Sequence, residues 1–262
     1  MRAKGAAFTL VEILVVIGII AVLLAILMPA MVGARESANS STCANNLRRL
    51  QIASMTYATD NENFLPPAHF YLITKNRHRW HGTRPSVGPP NNPTPFNFAS
   101  SPLRYYLDTV KIKTCPNFDP PKAGFEASAG GYGYNAQYLG SSLALATGVL
   151  TPTQLESNYG NRPAKVSQIK HPADTVMFTD AAMANPIQIE YSFAEPPLLS
   201  GQPSSPSIHF RHRGLANVVW LDGHVSSEKM EWTYPTNTYG ADNTQMKLGF
   251  FGPKDNSLFD RE

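Results

Sequence analysis

The chain has 262 residues, of which 42% are hydrophobic and 16% are charged. Its 22 Lys and Arg residues against 19 Asp and Glu residues give a net charge of +3, which is too small to predict nucleic acid or an acidic surface as a partner. A single membrane-length apolar segment favours a tethered extracytoplasmic protein over a membrane enzyme. The roughly 230 residues outside it are enough for one moderate or two small hydrophobic cores.

The N-terminal segment is a short basic stretch followed by a long apolar run. Arg2 and Lys4 are its bases, Glu12 is its acid, and no further charge occurs up to residue 33. As a helix, residues 8–31 would extend about 36 Å, which is enough for one membrane span. Both bases should stay on the cytoplasmic side, so most of the chain is predicted to be extracytoplasmic.

Glu12 lies where a hydrocarbon environment disfavours a carboxylate. An unpaired acid near the end of a span costs on the order of a few kcal/mol, so its presence indicates a function. Cleavage between Ala7 and Phe8 would create a free α-amino group four residues from Glu12. That amine is the best available partner for the carboxylate.

The sequence AFTLVE of residues 7–12, after a short basic leader, resembles the type IV prepilin-like proteins, which include type IV pilins and the pseudopilins of type II secretion. The resemblance implies cleavage after Ala7 by a prepilin peptidase/methyltransferase, N-methylation of Phe8, and a role for Glu12 in assembly. Most members have Gly where this chain has Ala7. The implied partners are other pilin-like subunits and the inner-membrane assembly machinery. The implied location is the inner membrane, with a single pass, or a surface or periplasmic filament.

Two other interpretations of this segment stay open. A secretory signal peptide could be cleaved after the small residues 32–34, so that the mature chain begins at Arg35. Its apolar region should be only about 7–15 residues long, and Glu12 does not fit such a region. An ordinary single-span anchor would need no cleavage.

The helix is predicted to continue beyond the membrane. An amphipathic stripe is formed by Cys43, Leu47, Leu50, Ser54 and Tyr57. These residues are spaced alternately four and three apart, which places them on one face of a helix. Because proline cannot continue a helix, the prolines at positions 66 and 67 should end this one. One helix over about residues 8–61 is therefore expected. The predicted organisation is a leader at 1–7, a transmembrane and assembly helix at 8–33, the soluble half of the helix at 34–62, and a β-rich domain at 63–262 with a Pro-rich loop at 85–97.

The second half of the chain is predicted to be β-rich. Residues 175–179 and 187–191 have the composition of short strands. The pair Asp222-Gly223 predicts a type I′ hairpin turn, with positive φ at both residues, between strands at 217–221 and 224–227. The predicted fold class is α+β: a long N-terminal helix, membrane-spanning in its first half and amphipathic in its second, packed on a loop-rich antiparallel β domain. This layout is similar to that of the pilins.

Cys43 and Cys115 are the two cysteines of the chain. In an oxidising compartment they are candidates for a disulfide that ties the soluble half of the helix to the segment around Cys115. Closing so long a loop could stabilise the fold by several kcal/mol. Two separate buried thiols are the alternative.

The stretch from His212 through nine residues to Asp222 and Gly223 resembles the prepilin-associated H-X9-DG domain. With further short motifs the likeness runs from Ala7 to Val225, and it implies no biochemical role. His212, Asp222 and His224 could also form a metal or acid-base site. Because the hairpin turn already explains Asp222, no metal and no cofactor is predicted.

These observations predict a structural subunit of a type IV pilus or type II secretion pseudopilus, and not an enzyme. One alternative is a cell-surface binding module that uses the prepilin signal only for export and anchoring. The other is a metal-dependent enzyme that uses His212, Asp222 and His224.

Overall fold

The computed structural model describes residues 9–70, 76–88, 94–108, 111–121, 124, 126–146, 151–237 and 239–262. These residues form one long helix, several short helical turns and thirteen short strands. The long helix, α1, begins at Leu10 and ends at Asp60, close to the span that the sequence predicts. Its packing on antiparallel strands confirms the α+β fold class.

Helix α1 has two halves with different surroundings. Every side chain from Leu10 to Val32 is exposed, whereas the second half buries the predicted stripe of Cys43, Leu47, Leu50 and Ser54. The first half of the helix therefore extends away from the domain as an apolar segment. The second half forms part of the domain core. The last predicted stripe residue, at position 57, is only half-buried.

The strands of the domain are short and are joined by long connections. Their bounds are β1 His69–Phe70, β2 His78–Arg79, β3 Gly82–Thr83, β4 Tyr132–Tyr134, β5 Val176–Asp180, β6 Met183–Ala184, β7 Gln188–Ile189, β8 Leu198–Leu199, β9 Gln202–Pro203, β10 Ile208–His209, β11 Leu215–Trp220, β12 Val225–Lys229 and β13 Leu248–Gly249. The helical turns are 3₁₀ at Phe98–Ser100, Leu143–Leu145 and Val166–Gln168, α-helical (α2) at Pro152–Leu155 and π-helical at Glu156–Gly160.

A four-stranded antiparallel sheet in the order β12-β11-β5-β4 forms the centre of the domain. All five residues of β5 are buried, and since alternate residues of a strand point to opposite faces, the sheet is covered on both sides. Helix α1 packs against β5 and β11. Gln51 Nε2 donates to the Leu221 carbonyl at 2.8 Å, and Asn46 Nδ2 donates to the Tyr132 hydroxyl at 2.9 Å. These two hydrogen bonds fix the helix against the sheet.

The β11–β12 hairpin lies where the sequence places it, but the prediction of a type I′ turn is wrong. Gly223 has positive φ, at 96°, and Asp222 does not. Trp220 N donates to the His224 carbonyl and Gly223 N donates to the Trp220 carbonyl, each at 3.0 Å. The loop therefore contains three residues rather than two, and its last position is left-handed, which glycine adopts without a Cβ penalty. The strand predicted at 187–191 is also shorter, since only Gln188–Ile189 pairs.

We expect replacement of Leu47 by alanine to lower the free energy of unfolding by about 2–5 kcal/mol, the usual range for removing a buried Leu side chain. Leu47 has 0% exposure in the main hydrophobic core. The matched control is Ile52→Ala on the same helix, where Ile52 is 54% exposed and the change should stay within about 0.5 kcal/mol. Denaturant unfolding of the full chain in detergent micelles measures both. Equal losses would contradict the packing of helix α1 on the sheet.

Candidate functional site

The first candidate site is the start of helix α1, where Thr9 and Glu12 form a reciprocal cap. The Glu12 carboxylate accepts from Thr9 N and from Thr9 Oγ1, each at 2.8 Å, while Glu12 N donates to Thr9 Oγ1 at 3.3 Å. This arrangement is a capping box, which satisfies backbone donors at a helix start. The predicted cleavage and methylation residues, Ala7 and Phe8, lie outside the described residues, so the pairing of Glu12 with a Phe8 amine stays a prediction.

The apolar half of helix α1 has no cover from the rest of the chain. Leu10, Ile26 and Met31 are 78%, 71% and 62% exposed, and Glu12 is the acid among 22 otherwise uncharged positions from Leu10 to Met31. Within the part of the chain that the structure describes, this is the one helix long and apolar enough to cross a membrane. At ~1.5 Å per residue it reaches about 33 Å, which matches a hydrocarbon core of about 30 Å.

A second candidate site lies in the soluble half of helix α1, where the structure joins Cys43 and Cys115 in a disulfide. Cys43 is on the helix, and the loop of Cys115 is held against Gly130, whose carbonyl accepts from Cys115 N at 3.0 Å. Both cysteines are buried. The bond therefore anchors the soluble half of the helix to the domain from within the core.

Asp180 and His212 lie directly beside this disulfide. His212 Nε2 is 3.2 Å from Asp180 Oδ2 and 3.5 Å from Cys115 Sγ. Asp180 ends strand β5, and its Oδ2 also accepts from Asn217 N at 2.8 Å. Its other oxygen, Oδ1, is buried and has no hydrogen-bond partner. Four possible metal ligands, one each from Cys43, Cys115, Asp180 and His212, lie within 4.8 Å of one another.

Arg211 supplies a positive charge next to this cluster. Its Nε is 4.0 Å from Asp180 Oδ1, and its Nη2 donates to the carbonyls of Gly131 at 2.9 Å and Ala181 at 2.7 Å. Burial lowers the pKa of Arg211, and the Asp180 carboxylate opposes that effect. The two buried charges therefore balance each other.

The cluster also contacts helix α1 through Asn117. The amide nitrogen of Asn117 lies 3.5 Å from His212 Nδ1 and donates to Glu36 at 2.5 Å, and its oxygen accepts from Asn39 at 2.5 Å. Both nitrogens of the His212 ring thus face polar atoms. Such contacts fix the orientation of an imidazole.

The structure does not bring together the set His212, Asp222 and His224 that the sequence offered as a metal or acid-base site. His212 is in the buried cluster, whereas Asp222 and His224 are at the exposed hairpin turn, where His224 Nδ1 and Asp222 Oδ1 are 2.7 Å apart. The imidazole of His224 stacks on Trp220 with ring centroids 5.4 Å apart. The nine-residue spacing consists mostly of strand β11, which extends from one location to the other.

Sequence reasoning missed both Asp180 and a buried ion pair elsewhere in the domain. Arg79 Nε lies 2.8 and 3.0 Å from the two Glu126 oxygens, and Ser192 Oγ donates to one of them at 2.6 Å. The two charged side chains are 1% and 0% exposed. Burial, with the charge of Arg79, lowers the pKa of His69 to about 3. Asp180 could have been singled out because it is an acid directly after a predicted strand. No local pattern in the sequence connects positions 79 and 126.

Comparison with known proteins gives one match. Residues 2–28 match the family model described as the prokaryotic N-terminal methylation motif. Neither the curated proteins nor the solved structures give a match. The motif and the apolar helix that it overlaps indicate a prepilin-type protein. Such a protein is processed by a prepilin peptidase and is anchored in the membrane by its single N-terminal helix.

Proposed function

We propose that the chain is a structural subunit of a type IV pilus or of a type II secretion pseudopilus, processed after Ala7 and methylated on Phe8. The observation that carries this proposal is the methylation motif joined to an uncovered apolar helix. A helix that exposes large apolar side chains all round must be surrounded by lipid or by other apolar helices. In a filament, the packed N-terminal helices of other subunits would cover this apolar surface.

Glu12 would fix the axial position of each helix relative to its neighbours in this packing. In hydrocarbon a carboxylate is costly unless it has a partner. Cleavage would supply an amine on Phe8, either within the subunit or from the adjacent one. Until that partner is present, the carboxylate accepts the two capping-box hydrogen bonds from Thr9. The subunit thus assembles in one axial position rather than sliding along an all-apolar surface.

The domain at residues 63–262 would lie outside the cytoplasm, because Arg2 and Lys4 favour a cytoplasmic N-terminus. Its proposed role is structural, with no catalytic activity and no cofactor required for assembly. The buried disulfide is consistent with an oxidising compartment. It would keep the soluble half of helix α1 attached to the domain when the helix is moved out of the bilayer.

Mass spectrometry of the mature N-terminus tests the processing step. In cells that contain a prepilin peptidase, the expected product begins at Phe8 and carries one methyl group on its amine. The matched control is the same chain in cells without the peptidase, which should retain residues 1–7. A product that begins at Arg35 would indicate a secreted protein, and an intact N-terminus despite the peptidase would indicate a plain anchor.

A further inference from the structure

We propose that the reduced form of the chain binds one zinc ion through Cys43, Cys115, Asp180 and His212. The disulfide and the metal would then be alternative ways of closing the same buried junction between helix α1 and the domain. The proposal is independent of the role in a filament. It rests on the geometry and the charge of this cluster.

The ligand atoms already have nearly the spacing that zinc needs. Tetrahedral zinc with bonds of ~2.0–2.3 Å to nitrogen, oxygen and sulfur places its ligand atoms roughly 3.3–3.8 Å apart. His212 Nε2 is 3.2 Å from Asp180 Oδ2 and 3.5 Å from Cys115 Sγ, and all four ligand atoms lie within 4.8 Å of one another. Reduction of the disulfide lets the two sulfurs separate to a distance suited to a shared metal.

Metal binding requires that a dithiol first reduce the disulfide. A dithiol reductant gives two electrons and two protons to the disulfide, so that two protein thiols form and the reductant becomes a disulfide. Zinc then displaces both thiol protons and forms two bonds to sulfur. Cys and His with one carboxylate are ligands that zinc accepts in proteins.

Charge neutrality is kept in both states. In the oxidised chain the Asp180 carboxylate is balanced by Arg211, whose Nε is 4.0 Å away. In the reduced, metal-bound chain two thiolates balance the two positive charges of zinc, and the Asp180–Arg211 balance is unchanged. This matters because an unbalanced charge in a buried site is strongly disfavoured.

Asp180 and His212 supply a buried carboxylate and an imidazole that already meet beside the disulfide. Asp180 has 0% exposure, and its Oδ2 lies 3.2 Å from His212 Nε2. Its Oδ1 has no hydrogen-bond partner and lies 4.0 Å from Arg211 Nε. Zinc would bind Oδ2 together with His212 Nε2, while Oδ1 stays beside the guanidinium.

Cobalt(II) titration of the full chain in detergent micelles tests the proposal, because cobalt takes the place of zinc and has a visible spectrum. After reduction with a water-soluble phosphine, which itself becomes the phosphine oxide, we expect one equivalent of cobalt to produce a thiolate-to-metal charge-transfer band that zinc abolishes. The oxidised chain should show no such band. Absence of the band in the reduced chain would overturn the proposal.

Variants separate this site from surface binding. His212→Gln should weaken binding by at least the roughly 10- to 100-fold that loss of a supporting residue costs at metal sites. Cys115→Ser should reduce the charge-transfer band to that of one thiolate, and Cys43→Ser with Cys115→Ser should abolish it. The matched control is Asp222→Asn with His224→Gln at the exposed hairpin pair, which should bind as the unaltered chain does. Unchanged affinity in His212→Gln would overturn the assignment.

A second measurement needs no variant. If the reduced chain loses stability, stoichiometric zinc should raise its thermal midpoint, since a ligand that binds only the folded state stabilises it. Zinc should leave the midpoint of the oxidised chain unchanged. Equal zinc effects on the two forms, or no effect on the reduced form, would count against the site.

Discussion

Glu12→Ala should leave the chain inserted in the membrane and abolish its assembly into filaments. An unpaired carboxylate near the end of a span costs on the order of a few kcal/mol, so its removal cannot hinder insertion. The variant loses the charge proposed to pair with the Phe8 amine between subunits. Membrane fractionation measures insertion, and recovery of sheared filaments, with immunodetection of the subunit, measures assembly.

The matched control for Glu12→Ala is Thr9→Ala. Both substitutions break the capping box that Thr9 and Glu12 form at the start of helix α1, but only the first removes the carboxylate. We expect Thr9→Ala to assemble. Loss of filaments in both variants would show that helix capping rather than charge is what assembly needs, and normal assembly of Glu12→Ala would falsify the proposed role. An unaltered chain that stays monomeric in the membrane would favour the surface binding module.

Glu126→Gln should lower the free energy of unfolding by about 3–5 kcal/mol, because removing one member of a buried ion pair leaves the other charge uncompensated. Arg79 is 1% exposed and bonds both Glu126 oxygens. Its guanidinium also lies 4.9 Å from the Phe193 ring centroid, so it has no route to water without disturbing the core. Denaturant unfolding of the oxidised full chain in micelles measures the change.

The surface pair of Arg49 and Asp108 provides the control for that prediction. Its side chains are 33% and 67% exposed, so Asp108→Asn should cost less than about 1 kcal/mol. A double replacement, Arg79→Met with Glu126→Leu, should recover much of the stability lost in Glu126→Gln, since apolar pairs of similar volume often replace buried ion pairs without loss. A small effect of Glu126→Gln would contradict the burial of the pair.

Much of the helix could be predicted because its signals are local. The run of apolar residues, the stripe from Cys43 to Ser54 and the prolines after it each depend on positions within a few turns of one another. Predicted bounds of 8–61 and observed bounds of Leu10–Asp60 agree closely. The hairpin was found for the same reason, and its turn type was wrong because loop length depends on which residues pair across the strands.

The candidate sites could likewise be predicted only where their residues are close in sequence. Ala7, Phe8 and Glu12 form a motif in consecutive sequence, and the family comparison at residues 2–28 supports it. The set of His212, Asp222 and His224 was suggested by closeness in sequence, and strand β11 separates its members in space. Asp180 could not be joined to His212 in advance, because that contact depends on how β5 lies relative to the segment before β11.

The sequence by itself determined that this is a prepilin-type protein with one apolar helix, since length, hydropathy and a contiguous motif need no tertiary information. The tertiary structure alone decided which polar groups meet in the core. Positions 43, 115, 180 and 212 converge around one disulfide, and positions 79 and 126 form a buried ion pair. Contacts of this kind join distant segments whose approach is fixed by packing of the whole domain, and no local pattern encodes them.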